Sequence, residues 1–522
     1  MKGKHCKDAA TDCGCPAEPP PKAMTRRRYL GLSALSAAAV GGYLAGPGLW
    51  QWEHAQARIK RREIIQIDVE PGPVDATLVA RLGSTTTSTQ SAPLIITYHD
   101  IGHNTSPYTV TPENFATQMR LLHDAGWTTL TTAQLEAWHR GEPLPPRSVL
   151  ITFDDGCTGV WQYAEPVLRR YNMHAAAFII TGFVGTHAPY YMTWDHITDL
   201  HAGGRWDILA HTHLGHVHVP ADAHGGTGPY LTTPMYLADQ RRVETATEFH
   251  GRVTNDLTEC KRQLGLRGFS DPRFFAYPFS AHEADVVQQT VLSLYAGGGM
   301  LDDSDSIQVT LAGDVARGLI RRMDIVGAMS LEGFVGRFEQ AAPLDPSGIR
   351  PLLDLSGWTD RNQKPAAAIS PNGAGGAVID PGPGGQISLH YQRIRTAAWN
   401  TYTVSADLGL ALAADDTSTG MVAFMGGSQY QVLVSISRGY YSIVVGDDVP
   451  FAEGELPNAP SYHVDIAACP EAVSVWVDGL PFVVPLPESR PREVASGIGL
   501  ICRRGGSESS PPATINNLVI GA

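Results

Sequence analysis

The sequence predicts an α/β domain built on a parallel sheet, followed by an all-β sandwich. Short apolar runs alternate with helical patterns from Pro93 onwards, as expected for repeated β/α units. With this number of units, the sheet is expected to close or nearly close into a barrel. After about Ala341 the helical periodicity disappears, and alternating apolar and polar runs are separated by Gly, Pro and Asp. A chain of 522 residues is long enough for both domains.

The N-terminal region predicts export from the cytoplasm. Residues 1–23 are polar without periodicity and are predicted to be a disordered cytoplasmic tail. Residues 24–57 carry Arg26 and Arg27 before a weakly apolar run, which resembles a twin-arginine export signal. The run is about 20 residues long, so an uncleaved membrane anchor is the alternative; either way the chain beyond it is extracytoplasmic, secreted or membrane-anchored. Residues 58–90 are predicted to form a linker.

Charge and cysteine content limit the partners. The formal net charge of -13 argues against a nucleic-acid partner, which needs a basic surface. A neutral or cationic polymer suits this surface better than an anionic one. We expect a monomer that contacts membrane only through its N-terminal segment. Seven cysteines do not make a disulfide scaffold, although Cys469 and Cys502 could pair if that half is extracytoplasmic.

The first domain is predicted from apolar strands and amphipathic helices. The predicted strands are Leu94–Tyr98, Trp127–Leu130, Val149–Phe153, Ala175–Thr181, Asp207–His211 and Phe274–Tyr277. One helix is predicted to begin after Thr111, and a second covers Thr132–Arg140. Apolar residues at helical spacing predict a third helix over Ala246–Leu264, in which Cys260 is a buried thiol.

Two adjacent carboxylates, Asp154 and Asp155, follow the predicted strand Val149–Phe153. At the C-terminal end of a barrel strand, such residues are placed for chemistry. Because the two carboxylates repel each other, one tends to be held ionised by a cation while the other keeps a raised pKa and can act as a base. The remaining ligands of the cation are expected downstream, where a second apolar strand leads into His211 and His216.

The spacing of these histidines requires a turn. His211 and His216 are five residues apart, which puts them on different faces of a helix or a continuous strand. They converge only if the strand ends near His211 and the chain turns, and Gly215 is predicted to supply that turn. One carboxylate and two imidazoles leave positions open for water and substrate, which is typical of a catalytic rather than a structural metal site.

The segment Thr152–Gly156, followed by His211 and His216, resembles the first two motifs of the NodB-type polysaccharide deacetylases, a carbohydrate esterase family. The histidine spacing resembles the subgroup that deacetylates poly-β-1,6-N-acetylglucosamine. Further matching segments occur in the same order: Ile96–Ile101, Ser106–Val110, Thr193–Asp195 and Phe275–Phe279. The resemblance runs from about Pro93 to Phe338 and implies a distorted β/α barrel in a deacetylase domain of residues 91–345.

The resemblance also implies roles for individual residues. Asp155, His211 and His216 would hold a divalent metal, expected to be Zn²⁺, with Co²⁺, Ni²⁺ or Fe²⁺ as alternatives. Asp154 would be the general base that takes a proton from the attacking water. The backbone N–H of Phe279 would donate to the oxyanion of the tetrahedral intermediate.

Two positions depart from the family pattern. An arginine usually orients the base, but its place two residues before the proline is occupied by Ala276. The family's histidine acid is also missing, because Gly318–Ile325 contains no histidine. Another proton donor is therefore required at the same rim. His99, which ends the first strand beside Asp100, resembles the Tyr-His pair found at that place in the poly-N-acetylglucosamine deacetylases, and this resemblance implies that His99 is the general acid. The alternatives are that His99 only hydrogen-bonds a metal ligand or a loop, or that His103 is the acid.

The remaining site predictions concern the pocket and the substrate. Four residues are predicted to line the substrate pocket: Tyr98, Trp194, Tyr277 and Pro278. His213 and His218 are predicted to lie at the rim without binding metal. The resemblance implies a metal-dependent hydrolase that deacetylates N-acetylglucosamine polymers at the cell envelope. The alternatives are peptidoglycan, chitin or acetylated xylan as substrate, or a non-catalytic carbohydrate-binding protein, against which the intact motif residues count.

Residues 350–522 are predicted to form a sandwich similar to the concanavalin-like jelly rolls of lectins and glucanases. The predicted strands are Thr401–Ala406, Tyr430–Ser437, Tyr440–Val445, Val473–Val477, Phe482–Val484 and Ile498–Cys502. Asp478 and Gly479 predict a hairpin turn. We expect this domain to bind saccharide without being catalytic, because a second site raises the effective concentration of a polymer. A spacer or a protein-docking module is the alternative.

Overall fold

The computed structural model describes residues 64–521 except 86–92, 270, 304–309, 311–317, 345, 361–365, 393–394, 398, 400, 411–415, 425–430, 447–448, 470 and 487–496. The predicted tail, the export or anchor segment and the start of the predicted linker lie outside the described residues. Among the helices that are described, none combines the length and the hydrophobicity needed to cross a membrane.

The first domain alternates strands and helices along the chain. Its strands are β1 (Leu94–Tyr98), β2 (Asp100–Ile101), β3 (Thr109–Val110), β4 (Thr128–Thr129), β5 (Ser148–Phe153), β6 (Ala175–Ile179), β7 (Trp206–Ala210), β8 (His218–Pro220), β9 (Thr227–Pro229), β10 (Tyr236–Leu237), β11 (Arg242–Val243), β12 (Phe274–Ala276), β13 (Gly298–Asp303) and β14 (Leu319–Asp324). Its helices are α1 (Ala76–Ser84), α2 (Pro112–Asp124), α3 (Thr132–His139), α4 (Glu165–Arg170), α5 (Trp194–Ala202), α6 (Ala246–Gly265), α7 (Asp285–Leu294) and α8 (Leu331–Ala341). Single turns of π-helix at Val160–Ala164 and of 3₁₀-helix at Pro278–Ser280 interrupt this order.

Seven parallel strands close into a barrel, which confirms the predicted architecture. They follow one another around it in the order β1, β14, β13, β12, β7, β6 and β5, and β5 pairs again with β1. The closing register runs from Leu94 opposite Val149 to Tyr98 opposite Phe153. Because all seven strands are parallel, their carboxyl ends meet at one opening of the barrel, which we call the mouth.

The barrel interior is polar at the mouth and apolar further from it. An apolar layer consists of residues from every barrel strand: Ile95, Leu150, Ala176, Phe178, Leu209, Phe274, Ala276, Met300 and Ile320. Since side chains alternate along a strand, the residues two positions further on face the same interior. Five of these are polar: Thr97, Thr152, His211, Asp302 and Arg322. The alternation of side chains along the strands therefore places polar groups at the mouth, next to an apolar layer that fills the barrel interior.

The second domain is a sandwich of two antiparallel sheets, as predicted. Its strands are β15 (Trp358–Thr359), β16 (Ile369–Pro371), β17 (Ala377–Ile379), β18 (Gln386–Tyr391), β19 (Tyr402–Gly409), β20 (Ser418–Ala423), β21 (Val432–Ser437), β22 (Tyr440–Val445), β23 (Val449–Glu455), β24 (Ser461–Ala468), β25 (Ala472–Val477), β26 (Leu480–Pro485), β27 (Ile498–Arg503) and β28 (Ala513–Gly521). One sheet has the order β15, β18, β27, β20, β21, β22, β23, and the other β16, β17, β28, β19, β24, β25, β26.

Three further sequence predictions concern a hairpin turn, a disulfide and a buried cysteine. Asp478 (φ 48°) and Gly479 (φ 82°) join β25 to β26 as the predicted hairpin turn. Cys469 and Cys502 are both free thiols rather than a disulfide. Cys260 is fully buried on α6, as its place in the apolar stripe predicted.

Candidate active site

A left-handed turn at the end of β5 separates the two adjacent carboxylates. The N–H of Asp154 still donates to the carbonyl of Tyr98 on β1, at 2.9 Å. The next residue, Asp155, has φ 70°, and Gly156 has φ 80°. These are residue types that adopt this conformation at low cost. The turn lets neighbouring side chains enter different clusters: Asp154 beside Arg322 and Asp155 beside the histidines.

A second strained turn, at the end of β7, carries the histidines. Thr212 has φ 68°, which is costly for a β-branched residue and persists only where the surroundings hold it. The Asp256 carboxylate on α6 provides that hold, because it accepts the N–H groups of His213 and Leu214 at 2.9 and 2.7 Å. Asp256 is buried, so it acts as an internal cap for this turn. Sequence analysis did not identify it.

Gly215 contributes in a different way from the one predicted. The left-handed residue of the turn is Thr212, whereas Gly215 is not among the residues with positive φ. A Cβ at Gly215 would lie 3.0 Å from Cδ1 of Tyr230 and 3.1 Å from Oδ1 of Asp256. A side chain at Gly215 would therefore press on both neighbours, so this glycine serves close packing, and the left-handed conformation predicted to need a glycine is adopted by Thr212 instead.

The two turns bring Asp155, His211 and His216 together in what we call the candidate metal triad. Oδ1 of Asp155 lies 3.4 Å from Nε2 of His211 and 3.3 Å from Nε2 of His216. One potential ligand atom from each residue lies within 4.8 Å of the other two. The triad therefore converges on a common point, although His211 and His216 come from positions that a straight strand would separate.

The chemistry of the triad fits a divalent metal. Oδ1 of Asp155 is buried without a hydrogen-bond partner in the described structure. Nδ1 of His211 donates to the carbonyl of Ala276 at 2.8 Å, which leaves the Nε2 lone pair directed at the triad. Two imidazole nitrogens and one carboxylate oxygen form the donor set of catalytic zinc and related metal sites.

The protonation states within the triad agree with this assignment in part. Burial opposes ionisation of Asp155, but His211 and His216 hold its pKa well below its usual range. Burial and the neighbouring His211 lower the pKa of His216 to about 4, so that it is neutral. Burial would also lower the pKa of His211, yet Asp154 and Asp155 raise it overall. A metal bound here would therefore compete with a proton for Nε2 of His211.

Asp154 is held by a buried arginine that sequence analysis missed. Nη1 and Nη2 of Arg322, on β14, donate to Oδ1 and Oδ2 of Asp154 at 2.8 and 2.6 Å. Nη2 also lies 2.6 Å from Oδ1 of Asp302, and the guanidinium stands 5.2 Å from the ring centre of Phe178. Arg322 thus fixes the orientation of Asp154 from a different strand than the one that carries Ala276.

The electrostatics of this cluster correct one prediction. Burial opposes ionisation of Asp154, but the Arg322 guanidinium holds its pKa below the usual range. The prediction that the second carboxylate of the pair keeps a raised pKa is therefore wrong for Asp154. The raised pKa belongs to Asp302, where burial brings it to about 6 despite the opposing charge of Arg322.

His99 shares the mouth with these groups. One of its ring nitrogens lies within 4.8 Å of carboxylate oxygens of Asp154 and Asp302. Its Nδ1 is 3.7 Å from Oδ1 of Asp324, which is 2% exposed and so is shielded from solvent. Asp100, the neighbour considered from sequence, instead accepts the side-chain amide of Asn104. Asp324, rather than Asp100, is therefore the carboxylate that lies against Nδ1 of His99.

The other residues predicted for the site have different neighbours. Phe279 has φ 56°, and its ring centre is 4.6 Å from that of His216 and 4.5 Å from that of His218. Its oxyanion role stays a prediction. Nδ1 of His213 is 3.0 Å from Oγ1 of Thr181, and His103 is an exposed residue whose ring contacts Tyr163.

Three of the four residues predicted to line the pocket are buried: Tyr98, Tyr277 and Pro278. The hydroxyl of Tyr98 donates to Oε1 of Gln118 at 2.7 Å, so Tyr98 packs in the core between β1 and α2 rather than lining a pocket. Trp194 is half-buried at the start of α5, with the Arg267 guanidinium 4.8 Å from its ring centre.

Comparisons with known proteins support the resemblance read from the motifs. Residues 141–293 match the family described as polysaccharide deacetylase. Poly-β-1,6-N-acetyl-D-glucosamine N-deacetylase of Escherichia coli K12 is 25% identical over 186 residues, which cover 33% of this chain and 28% of that protein. The protein of that name from Staphylococcus epidermidis is 32% identical over 186 residues, covering 35% of this chain and 57% of that protein. The chain thus spans less than two thirds of either relative.

Among solved structures, the BpsB deacetylase domain from Bordetella bronchiseptica aligns with a TM-score of 0.39 and 22% identity. The alignment covers 49% of this chain and 98% of that domain.

Proposed function

Because residues 141–293 match the polysaccharide deacetylase family, we propose that this protein is a metal-dependent polysaccharide N-deacetylase. The observation that carries the proposal is the candidate metal triad beside Asp154, whose carboxylate is bound bidentately by Arg322. A Lewis-acid site next to a fixed, ionised proton acceptor is what hydrolysis of an amide needs. The proposed substrate is an N-acetylglucosamine polymer outside the cytoplasmic membrane, by analogy with the names of the curated relatives.

Asp155, His211 and His216 would hold the metal, for which Zn²⁺ is proposed. When bound, the metal polarises the acetamide carbonyl and makes a water molecule more acidic. Asp154 accepts the proton of the attacking water, and it is ready to do so because Arg322 keeps it ionised. Each carboxylate oxygen has a second acceptor site, so the bidentate contact with Arg322 does not block that transfer.

The leaving amine must be protonated, and we propose His99 as the donor. Its Nδ1 lies 3.7 Å from Oδ1 of Asp324, whose charge favours the imidazolium form that a proton donor needs. The backbone N–H of Phe279 is proposed to stabilise the oxyanion, since Phe279 packs beside His216. His103 is the alternative acid.

Acetate release and metal content together test the proposal. The purified protein would be assayed on poly-β-1,6-N-acetylglucosamine, chitin oligomers, peptidoglycan and acetylated xylan. We expect acetate from the β-1,6-linked polymer, loss of activity on chelation, and recovery with Zn²⁺. If acetate is released only from one of the other polymers, the proposed reaction stands and the assigned substrate changes. A metal-loaded protein that releases acetate from none of them would support the alternative of a non-catalytic carbohydrate-binding protein.

For the sandwich we propose a non-catalytic saccharide-binding role, supported by a polar concavity on the outer face of one sheet. The concavity measures about 450 Å³ and its lining is polar throughout: Asp416, Ser418, Ser435, Ser437, Tyr440, Ser442 and Arg503. Serine hydroxyls both donate and accept hydrogen bonds, as sugar hydroxyls do. Ser418 pairs across the ladders with both Ser437 and Arg503, so the lining is continuous over adjacent strands.

Retention on insoluble glycans by the full chain tests this second proposal. An Asp154→Asn protein, which cannot turn substrate over, would be compared with one that also carries Arg503→Ala. We expect Arg503→Ala to reduce retention on the polymer without changing acetate release from a short oligomer in the active background. Unchanged retention would favour a spacer or protein-docking role for the sandwich.

A further inference from the structure

Tyr108 is an exposed aromatic residue beside the proposed acid. Its side chain is 49% exposed, and its ring centre lies 5.0 Å from that of His99 at an interplanar angle of 47°. Large aromatic side chains contribute most when buried, so a half-exposed ring next to reacting groups leaves contact area free for a ligand. The proposed reaction assigns no role to this ring.

The loop that carries Tyr108 is held in place at several points. Its ends pair as β2 and β3, with Asp100 opposite Thr109. The N–H of Gly327 donates to the carbonyl of Pro107 at 2.8 Å. A Cβ at Gly327 would lie 2.3 Å from the carbonyl oxygen of Thr109, so the two segments touch closely. Tyr108 therefore stands on a loop fixed to the segment that follows β14.

The chemistry of the proposed reaction defines what lies beside His99. In an N-acetylated amino sugar, the amide nitrogen is bonded directly to a carbon of the pyranose ring. A group that protonates this nitrogen must come within about 2.6–3.2 Å of it. The ring of the reacting sugar consequently lies one bond beyond the nitrogen, within reach of the aromatic ring that contacts His99.

We propose that Tyr108 is the surface on which the reacting pyranose ring packs, and that it makes the site selective for amino sugars over other acetyl compounds. The C–H groups on one face of a pyranose are attracted to the negative face of an aromatic ring. The inference rests on the proposed function and adds a specificity residue to it. Phe279 lies on the triad side instead, next to His216, so Tyr108 marks the sugar side of the scissile bond and Phe279 the acyl side.

Two substrates of the holoenzyme separate sugar binding from chemistry. One is a soluble β-1,6-linked N-acetylglucosamine oligomer, and the other is a small aryl acetate that has no sugar ring. We expect Tyr108→Ala to lower kcat/KM for the oligomer about tenfold, mainly through KM, as loss of one aromatic contact does. Activity on the aryl acetate should change by less than about twofold, and Tyr108→Phe should retain most activity on both substrates.

Tyr171→Ala is the matched control, because the Tyr171 ring also packs at a tilt against a histidine, His123, with ring centres 5.1 Å apart. That pair lies at the ends of α2 and α4, away from the mouth, and its loss should affect neither substrate selectively. Equal losses on the oligomer and the aryl acetate in Tyr108→Ala would overturn the proposal, as would no loss on either.

A binding measurement distinguishes failure of this inference from failure of the proposed function. Titration of the oligomer into the Asp154→Asn protein requires no turnover. We expect the added Tyr108→Ala change to weaken that binding about tenfold. If the wild-type protein releases no acetate, the proposed function fails while this titration still tests Tyr108. Unaltered binding in an otherwise active protein overturns the role of Tyr108 alone.

Discussion

The barrel mouth and the outer face of the sandwich both contain carboxylate–histidine clusters, but they satisfy their polar groups differently. Within the described residues, all buried side-chain nitrogen and oxygen atoms without a hydrogen-bond partner lie between Thr97 and Asp324, in the barrel domain. In the sandwich, exposed His463 contacts Asp407 at 2.6 Å and Asp465 at 3.3 Å. Asp407 in turn accepts the side-chain amide of Asn517 at 2.6 Å.

Unpaired buried polar atoms distinguish the barrel mouth, as a candidate binding site, from the exposed cluster on the sandwich surface. Burying an unpaired polar atom costs free energy, so a cluster of such atoms persists only when the fold holds it or a ligand completes it. His99, Asp155 and Asp324 each carry one of these atoms at the mouth. The exposed cluster around His463 is already paired and remains open to water, so it requires no ligand to explain it.

The largest expected effect comes from the two carboxylates that end β5. Asp155→Ala should lose metal and activity together, because it removes one of three ligands. Asp154→Asn should keep the metal but lose turnover by about 10² or more, as removal of a general base does. Metal content and acetate release would be measured on the same preparations. Near-normal turnover in Asp154→Asn would rule out Asp154 as the base.

The second effect concerns Arg322 and links stability to activity. Arg322→Met leaves Asp154 and Asp302 buried together without their cation, and breaking a buried pair in this way costs about 3–5 kcal/mol. Thermal unfolding should therefore shift to lower temperature. Acetate release at neutral pH should fall with it, since the pKa of Asp154 would rise once the guanidinium is gone.

Arg242→Met provides the control for this prediction. Arg242 donates from Nη1 and Nη2 to the two carboxylate oxygens of Glu248, as Arg322 does to Asp154, but the pair is exposed to solvent. Exposed pairs contribute little, so its loss should leave the unfolding temperature and activity unchanged. If both variants behave alike, burial is not what makes the Arg322 contact important.

The third effect tests the acid. His99→Ala should keep the metal, lower kcat far more than KM, and remove the alkaline limb of the pH–rate profile. The reason is that the leaving amine would lose its proton donor while substrate contacts remain. If the alkaline limb survives in His99→Ala but disappears in His103→Ala, then His103 is the acid and the assignment of His99 is wrong.

The barrel and the triad could be read from sequence because they depend on local patterns. Asp154 and Asp155 follow an apolar strand, and His211 follows another, so both were expected at the carboxyl ends. Arg322 was missed because a strand containing Arg321 and Arg322 does not look buried. The signal was the period of two, which places Ile320, Arg322 and Asp324 on one face.

Asp256 and strand β28 show a second limit. Asp256 falls between Val253 and Leu257 on the apolar stripe of α6, and a carboxylate on a buried helix face is a sign of an internal partner. Strand β28 was missed because Asn517 (φ 54°) interrupts its alternation. In each case a residue was fixed by a contact distant in sequence, such as the turn at His213 and Leu214, which local patterns do not encode.

The smallest expected effect lies in the exposed cluster and depends on pH. The hydrogen bond to Asp407 raises the pKa of His463 above its usual value, against the effect of partial burial. A raised pKa in the folded state stabilises the protein below the unfolded value near 6.5, and this contribution is lost as pH rises through the folded value. Because the group is nearly half exposed, the contribution should stay below about 1 kcal/mol. His463→Gln should therefore lower the unfolding temperature slightly at pH 5.5 but not at pH 8.5, with acetate release unaffected at both. A loss of activity, or an equal shift at both pH values, would mean that this cluster resembles the barrel mouth more than its exposure suggests.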